Sequence, residues 1–433
     1  MKIDEKPNVE RGILKLNSSG SIFYDLISKR YIICNKDLTD ILIRVDGKRT
    51  IREIAEDIGK GRKDILEKVV DVIEKLNEKN LIKTSAKDKK NEMRIIDQNS
   101  STYPLDSVFL EITKRCNLSC IHCYNPYNPQ TKINELQKEE IFDLISEIEK
   151  LGVLKIRITG GEPFMRKDLF EILEKCYSSM IDFSIFTNGT LIEKEQIKRL
   201  SSLNPEFIAV SIDSVNPREY RKIRKSDNKK VLDNLEEMLK EGIRTTVNIV
   251  LFKNINDSYN SIRNTLKYIK SLGIGKINIA LDEVVPAGRG TKLSIYNQKE
   301  KMETIKKISR LYEEVFGEKL LIKTPEKTNS YCGLGESFFY IGSDGSVSLC
   351  PLLNFGEYIM GNIRQKSIKD IWENSPLLNY FRRKKHIKGS ECETCDVLDI
   401  CGGGCKAKAL FFNGSLNARD FWMCSYFFKD QIS

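Results

Sequence analysis

Cys116, Cys120 and Cys123 lie within eight residues, directly after the apolar run at 108–113. A loop this short can turn three thiolates toward one metal centre. Three thiolates leave one iron of a 4Fe–4S cluster without a protein ligand, and an open iron can bind and activate a small molecule. Free cysteines are commonly buried structural thiols. Three in eight residues is far denser than the chain average of 12 in 433, so the pattern predicts a cluster site.

Ten of the twelve cysteines fall into two groups, the one above and a second group near the end of the chain. In a reducing compartment, so many thiols indicate metal binding and not disulfides. A segment with seven cysteines and few aliphatic residues needs metal to hold its shape. The two isolated cysteines are predicted to be packed core thiols. The second group is Cys332, Cys350, Cys392, Cys395, Cys401, Cys405 and Cys424, and the isolated residues are Cys34 and Cys176.

A second polar motif, Gly160-Gly161-Glu162-Pro163, follows another β-like run. Two glycines let the backbone approach a ligand closely, and the carboxylate can accept from an ammonium group. Alone, a Gly-Gly pair is more often a turn. Its position after a predicted strand, within reach of an open iron, favours a binding role.

Alternating patterns between 105 and 290 predict the elements that position these motifs. Six β-α repeats predict an α/β fold with a parallel sheet, a partial (β/α)6 TIM-like barrel. In such barrels the catalytic and ligand-binding residues lie at the C-terminal ends of the strands. Four motifs follow predicted strands in this way: the cysteine loop, the Gly-Gly motif, Thr187-Asn188-Gly189 and Ser211-Ile212-Asp213. The predicted strands are 107–112, 154–159, 182–187, 206–212, 245–251 and 276–282. The predicted helices are 137–151, 167–179, 192–201, 230–241 and 257–272.

The Cys-x3-Cys-x2-Cys loop followed by the Gly-Gly-Glu-Pro motif resembles the radical S-adenosylmethionine (radical SAM) superfamily over residues 105–290. The resemblance implies a 4Fe–4S cluster on Cys116, Cys120 and Cys123, with SAM on the open iron. One electron would cleave SAM to a 5′-deoxyadenosyl radical that abstracts hydrogen from substrate, so no acid–base pair is demanded of the protein. The SAM contacts it implies are His122 at the adenine, Gly160, Gly161 and Glu162 at the methionyl amine, and Ser211 and Asp213 near the ribose and carboxylate. Asn188 is a further candidate contact, although Thr187 and Asn188 could equally be turn formers.

The cysteine pattern of 331–433 is similar to the SPASM domain, which holds two auxiliary 4Fe–4S clusters, giving three clusters in all. A pair of zinc sites is the alternative. One of these two clusters, called the inner cluster, would have only three cysteine ligands. Since no further cysteine lies between Cys176 and Cys332, we hypothesise that the inner cluster keeps an open iron for a substrate thiolate. An oxygen or nitrogen ligand from the protein could close it instead. The resemblance assigns Cys332, Cys350 and Cys405 to the inner cluster and Cys392, Cys395, Cys401 and Cys424 to the outer one.

Residues 1–85 have the pattern of a winged-helix-like domain, with strands near 13–16, 22–26 and 30–34. Helices are predicted at 38–45, 50–58 and 65–76, the second with a capping box at Thr50–Glu53. The domain resembles the recognition element of peptide maturases, related to the pyrroloquinoline-quinone chaperone (PqqD-like). That resemblance implies capture of a leader peptide by strand addition around 22–34. A DNA-binding helix-turn-helix is the alternative, but no helix rich in Arg, Asn and Gln is evident.

Three further segments complete the domain prediction. Residues 86–104 are polar and charged and are predicted to be a linker. Residues 291–330 are predicted to be a helical bridge with a helix at 301–315. Residues 331–433 form the SPASM domain and open with a hairpin that turns at Asp344-Gly345.

Composition limits the possible partners. Lys and Arg number 71 against 61 Asp and Glu, and the +10 charge is spread along the chain, which weighs against nucleic-acid binding. No run reaches about 18 apolar residues and no signal peptide opens the chain, so a cytoplasmic protein without a membrane segment is expected. A positive chain suits an acidic leader peptide, and the clusters need a flavodoxin-type or ferredoxin-type electron donor.

The combined prediction is a radical SAM/SPASM maturase of a ribosomally made precursor peptide. The open-cluster hypothesis favours a thioether between a cysteine and a carbon, of the sactipeptide or ranthipeptide type. The alternatives are formylglycine formation on a sulfatase, a carbon–carbon crosslink, and a cluster-containing winged-helix redox regulator.

Overall fold

The structure, a computed structural model, describes residues 2–17, 20–59, 62–97, 103–126, 133–273, 277–320, 332–383 and 387–428. The chain divides into two compact units. The first contains Met1–Pro104, Glu149–Leu154 and Tyr177–Asp182, and the second contains the rest. Part of the predicted linker (98–102) and of the predicted bridge (321–330) lies outside the described residues.

Within its described residues, the first unit contains two small sheets and three helices, and every element predicted in 1–85 forms. Asn35 caps the first helix by accepting a bond from the Leu38 backbone N–H (2.9 Å). The predicted capping box forms reciprocally between Thr50 and Glu53. The strands are β1 Lys6–Asn8, β2 Gly12–Asn17, β3 Gly20–Asp25, β4 Arg30–Cys34, β5 Lys83–Ser85 and β6 Met93–Asp97. The helices are α1 Lys36–Leu42, α2 Ile51–Gly59 and α3 Lys63–Glu78.

The segment predicted as a linker contains strand β6, which pairs in parallel with β2. The larger sheet has the order β4-β3-β2-β6, and β1 pairs separately with β5. Ile96 of β6 is 8% exposed and packs against Ile13 and Tyr24. Five residues that follow a lysine-rich stretch carry too weak a pattern to predict this strand, since its partner lies some 80 positions earlier in the chain.

The remaining elements lie mainly in the second unit. Its strands are β7 Ser107–Glu111, β8 Lys155–Thr159, β9 Asp182–Thr187, β10 Phe207–Ser211, β11 Thr245–Leu251, β12 Ile277–Glu283, β13 Phe338–Ile341, β14 Ser346–Ser348 and β15 Ile359–Asn362. Its first helices are α4 Lys138–Lys150, α5 Leu169–Ser178, α6 Lys194–Leu203, α7 Pro217–Arg224, α8 Lys229–Lys240, α9 Tyr259–Ser271 and α10 Gln298–Phe316. The last are α11 Ile368–Asn374, α12 Pro376–Arg382, α13 Leu398–Cys401, α14 Lys406–Asn413 and α15 Phe421–Phe427.

The six strands predicted for the barrel all form and run parallel in the order β12-β11-β10-β9-β8-β7, which confirms the α/β fold. Strands β7, β9 and β10 are buried along most of their length, as expected for strands covered on both faces, whereas burial alternates along β8, β11 and β12. Helix α7 was not among the predicted helices. Among the described residues, no helix combines the length and the apolar character that a membrane crossing requires.

The parallel sheet continues into the cysteine-rich region. Strand β13 pairs in parallel with β7, and β14 and β15 follow in antiparallel order. The predicted hairpin turn is confirmed: Gly345 has a φ of 81°, and the Gly345 N–H donates to the Gly342 carbonyl (2.9 Å). The prediction did not include the join between β7 and β13, because the two strands are more than 220 residues apart.

Candidate functional site

The cysteine loop leaves the sheet at the end of β7. Cys120 is buried, and Cys116 and Cys123 are partly buried. Burial, together with the nearby Glu162 carboxylate and the thiols Cys120 and Cys123, raises the pKa of Cys116 to about 11. The three sulfurs are therefore near neighbours in a place where a free thiolate is unfavourable, so a bound metal centre would be needed to keep all three deprotonated.

A later segment of the chain holds this loop from the other side. The Arg289 backbone N–H donates to the Cys123 carbonyl (2.9 Å), and its Nε donates to the Cys120 carbonyl (2.8 Å). A Cβ at Gly288 would lie 2.4 Å from the Tyr124 carbonyl oxygen and 2.5 Å from that of Cys123. Gly288 and Arg289 were missed from the sequence, since a single Gly-Arg pair carries no recognisable signal.

The two glycines of the second motif are required by the cysteine loop itself. A Cβ on Gly160 would lie 2.5 Å from the Thr113 carbonyl oxygen, and one on Gly161 2.4 Å from the Arg115 carbonyl oxygen. The Gly161 N–H donates to Thr113 (2.8 Å). Close backbone packing thus fixes the segment that leads into Cys116.

Glu162 is fully buried, with both carboxylate oxygens engaged by the neighbouring strand end. Thr187 Oγ1 donates to Oε1 (2.7 Å), and the Asn188 backbone N–H donates to Oε2 (2.8 Å). Phe164 N–H also donates to Oε1 (3.2 Å). Burial raises the pKa of Glu162 to about 7, against the effect of these donors. Glu162 therefore joins the ends of β8 and β9.

Asn188 connects that junction to the cysteine loop. Its Nδ2 donates to Asn117 Oδ1 (2.9 Å) and lies 4.0 Å from Cys116 Sγ. Its Oδ1 accepts from the Thr190 N–H (2.9 Å). The amide thus fixes its own turn and also lies close to the first cysteine. The contact of Asn188 with SAM stays a prediction.

Asp213 is buried with a φ of 51°, and its carboxylate is already paired within the protein. Arg224 Nε donates to Oδ2 (2.6 Å), and the Val250 N–H donates to Oδ1 (2.9 Å). Arg224 Nη1 also lies 3.7 Å from Cys120 Sγ. The predicted residue Ser211 is partly buried at the end of β10, where its backbone is in register with Asn248. Arg224 was missed because its helix, α7, was not predicted.

His122 lies between the second and third cysteines with its ring edge-on to Phe252, centroids 5.0 Å apart. Burial and the nearby guanidinium groups of Arg224 and Arg289 lower the pKa of His122 to about 4, so the imidazole is neutral near pH 7. In the part of the chain that the structure describes, its Nδ1 is buried without a hydrogen-bond partner. A flat neutral ring with one free nitrogen suits contact with a heteroaromatic ligand.

The C-terminal thiols converge into two groups. One small cavity is lined by all four cysteines predicted for the outer cluster, Cys392, Cys395, Cys401 and Cys424. Cys332 and Cys405 line a second cavity, and burial together with the thiols Cys405 and Cys350 raises the pKa of Cys332. The assignment of these two groups to an inner and an outer cluster stays a prediction.

The donor set fits iron–sulfur clusters. All twelve cysteines are free thiols, and the isolated pair, Cys34 and Cys176, is packed in the core as predicted (2% and 0% exposed). Within the described ranges, no three His, Cys, Asp or Glu side chains are arranged to hold a single metal ion. A 4Fe–4S cluster holds each thiolate on a different iron, farther apart than the ligands of one zinc ion.

Comparison with known proteins agrees with this chemistry. Residues 110–269 match the Radical SAM superfamily, and residues 332–396 match the iron–sulfur cluster-binding SPASM domain. The AdoMet-dependent heme synthase of Methanosarcina barkeri is 27% identical over 70% of this chain and 92% of its own length. The antilisterial bacteriocin subtilosin biosynthesis protein AlbA of Bacillus subtilis is 26% identical over 88% of this chain and 86% of its own. Streptococcus suis SuiB bound to its precursor peptide SuiA superposes with a TM-score of 0.67 and 18% identity, covering 96% and 98% of the two chains.

The fold and the cysteine site thus define a radical enzyme that works with SAM. The chain carries a radical SAM domain followed by a SPASM domain, and it is a radical SAM enzyme. Its cofactors are SAM and 4Fe–4S clusters, one of the SAM-binding type and additional ones in the SPASM domain.

Proposed function

We propose that this enzyme modifies a ribosomally made precursor peptide. The observation that carries the proposal is the length of chain over which the similarity to peptide-modifying proteins extends. Residues 105–433 make up about three quarters of the chain, so the 88% coverage by the subtilosin biosynthesis protein must extend into the first unit. The fold shared with SuiB, whose structure contains a precursor peptide, also covers nearly the whole chain. The heme synthase match covers 70% of the chain, which is less than residues 105–433, so that match need not include the first unit.

We assign the cofactor contacts as the sequence predicts them. Cys116, Cys120 and Cys123 would hold the cluster that binds SAM, which supplies a hydrogen-abstracting radical by one-electron cleavage. His122 would face the adenine, Gly160, Gly161 and Glu162 the methionyl end, and Ser211 and Asp213 the ribose side. Because both Glu162 oxygens and both Asp213 oxygens already accept protein bonds, these two residues would act mainly by fixing the strand ends. Asn188 would hold Asn117 and the first cysteine in place.

The C-terminal thiols would hold the auxiliary clusters, with three ligands for the inner cluster and four for the outer one. Three thiols leave room for a substrate thiolate on the inner cluster, which supports a thioether product. Forming a carbon–sulfur bond from C–H and S–H releases one hydrogen atom, one proton and one electron. The site must therefore hold an electron acceptor beside the bond that forms, and a cluster in this region is suited to that role.

Leader recognition would use the edge strand β4 of the first unit. β4 ends the larger sheet, and Ile33 on it is 73% exposed. An extended peptide adds to such an edge by backbone pairing, with alternate side chains read by exposed residues. The same unit contains helices α2 and α3 of the alternative DNA-binding interpretation, but the peptide assignment agrees with the relatives that share this unit.

The opposite edge of that sheet supplies a matched control for peptide binding. Ile95 on β6 is 45% exposed and ends the same sheet. We expect Ile33→Asp to weaken binding of a labelled precursor peptide at least tenfold by fluorescence anisotropy, and Ile95→Asp to leave it unchanged. Equal effects of the two variants would argue against capture on β4.

Co-expression with a candidate precursor peptide from a neighbouring gene tests the function. A crosslink lowers the peptide mass by two hydrogens, and the change should vanish in the Cys116→Ala variant. A thioether also protects the cysteine from iodoacetamide, whereas a carbon–carbon link leaves it reactive. Formylglycine would appear as an aldehyde, and a redox regulator would release no 5′-deoxyadenosine from SAM.

The electron donor and the compartment follow from the same chemistry. Twelve free thiols and oxygen-sensitive clusters require a reducing environment, so we propose a cytoplasmic enzyme supplied by a flavodoxin or ferredoxin. Reduction of the purified enzyme by such a protein, followed by SAM cleavage, tests the donor directly.

A further inference from the structure

Lys406 is a buried lysine in the cysteine-rich region, and its ammonium makes no hydrogen bond within the described residues. The residue is 2% exposed. The other buried lysines nearby are paired: Lys301 Nζ lies 2.9 Å from Glu283, and Lys408 contacts Asp282. An unpaired buried ammonium is costly, so a group with negative charge is expected beside it.

The groups that surround this ammonium are cluster cysteines. A Cβ on Gly403 would lie 2.5 Å from Lys406 Nζ and 4.0 Å from the Cys392 Cβ. Burial lowers the pKa of Lys406, and nearby acidic groups act to raise it. In decreasing order of effect these groups are Cys392, Cys401, Cys332 and Asp420.

These neighbours belong to two different cysteine groups. Cys392 and Cys401 line the cavity of the outer group, and Cys332 lines the cavity of the inner one. One positive charge therefore lies within electrostatic range of both groups. Gly403, with a φ of 81°, leaves the space that the end of the lysine side chain occupies.

We propose that Lys406 is the shared counter-cation of the two auxiliary clusters, stabilising their anionic forms and raising both reduction potentials. The proposal rests on the cluster assignment made above. A 4Fe–4S cluster bound by thiolates is an anion, and reduction by one electron adds a further negative charge. A fixed ammonium in a water-poor site stabilises the reduced form more than the oxidised form, and charge near a cluster is a recognised control on its potential.

The test uses the full chain with the SAM-binding cluster removed by C116A/C120A/C123A, so that only auxiliary clusters report. In this background Lys406→Met should lower the equilibrium constant for reduction of the outer cluster at least tenfold. This corresponds to a decrease of at least 59 mV in its one-electron reduction potential. The inner cluster should shift in the same direction. Potentials are read by redox titration followed by electron paramagnetic resonance. Lys299→Met, which removes a lysine whose side chain is 86% exposed, should shift neither potential.

Two glycine variants give an independent, matched test. Gly403→Ala places a methyl group against the ammonium, whereas Gly414→Ala meets nothing within 4 Å. Both glycines have similar positive φ values, 81° and 75°, so the backbone strain is comparable. Gly403→Ala should lower the potentials in the direction of Lys406→Met, and Gly414→Ala should not.

The possible outcomes distinguish failure of the counter-cation proposal from failure of the cluster assignment on which it rests. Loss of iron from Lys406→Met that Lys406→Arg prevents would also support a counter-cation. Unchanged potentials with full iron, or equal shifts in Lys406→Met and Lys406→Arg, would overturn it. Iron far below about eight atoms per chain in the background variant itself would overturn the cluster assignment as well.

Discussion

The two cysteine-bearing regions of the second unit are built on different principles. Around the first cysteines, protein hydrogen bonds fix nearly every neighbour: Glu162 joins two strand ends, Asn188 holds Asn117, and Arg289 holds the loop carbonyls. Around the C-terminal thiols, four cysteines line a small cavity among short helices and turns, and two more line a larger cavity shared with β12 and α10. We therefore expect the first region to keep its arrangement without metal and the second to depend on metal for its folding.

This difference matches the tasks of the two regions. A site that binds and cleaves SAM repeatedly must keep its geometry while the small molecule enters and leaves, so its supports belong to the sheet. A cluster that stays bound throughout can itself be part of the core. Removing metal should therefore affect catalysis in one region and folding in the other.

The largest expected effect is on SAM cleavage. The triple variant C116A/C120A/C123A should produce no detectable 5′-deoxyadenosine, because no iron remains to bind SAM, while its circular dichroism stays that of the wild type. Chromatographic assay of the nucleoside measures the loss. Cys176→Ala, which removes a buried thiol outside both groups, should keep the iron content. Unfolding of the triple variant would contradict the expectation that the first region keeps its arrangement without metal.

The second effect is on folding of the C-terminal region. Replacing Cys392, Cys395, Cys401 and Cys424 together by Ala should leave residues 387–428 sensitive to trypsin, since metal binding there is part of the folding free energy. Fragment masses after limited proteolysis locate the cuts. A digestion pattern equal to that of the wild type would mean that this region, too, stands without its metal.

Breaking one ion pair tests the first region by a third route. Asp213→Asn leaves the buried Arg224 guanidinium without its carboxylate, and we expect a loss of about 3–5 kcal/mol in the free energy of unfolding. Asp227→Asn is the matched control, because its pair with Arg221 is exposed and contributes about 0–1 kcal/mol. Urea unfolding of both variants gives the comparison, and a similar small loss in each would count against a rigid site.

The smallest effect concerns the contact between helix α4 and the C-terminal region. Arg364 pairs with Glu140 and lowers the pKa of that carboxyl to about 2. Since the pKa is depressed on folding, this stabilisation is present above about pH 4.5 and is lost as pH falls toward 2. Glu140→Gln should cost about 1 kcal/mol or less at pH 7 and flatten the acid limb of the stability curve. If the stability of Glu140→Gln fell with decreasing pH as steeply as that of the wild type, the pair would not contribute to acid sensitivity.

The sequence predicted what local pattern determines. Each of the six barrel strands lies within one residue of its predicted ends, because each is a short stretch rich in apolar and β-branched residues. The hairpin at Gly345 and the burial of Cys34 and Cys176 were predicted for similarly local reasons.

What the sequence did not predict depends on contacts between distant segments. Strand β6 was predicted as linker because its partner is remote, and Arg224 gains its role only from burial between Asp213 and Cys120. Arg289 gains its role only when the fold places it beside the cysteine loop, and Lys406, although it follows Cys405 in sequence, is distinguished only by its burial near Cys392. The cysteine spacing predicts where clusters bind, and the tertiary structure determines which charges surround them.

The continuous sheet formed by β7 and β13 has a consequence for any attempt to separate the two regions. A chain cut before Phe338 would present the edge of β7, a row of unpaired backbone donors and acceptors open to aggregation. The cysteine-rich region therefore shields the barrel edge as well as supplying thiols. We expect a truncated barrel without β13 to aggregate instead of folding alone.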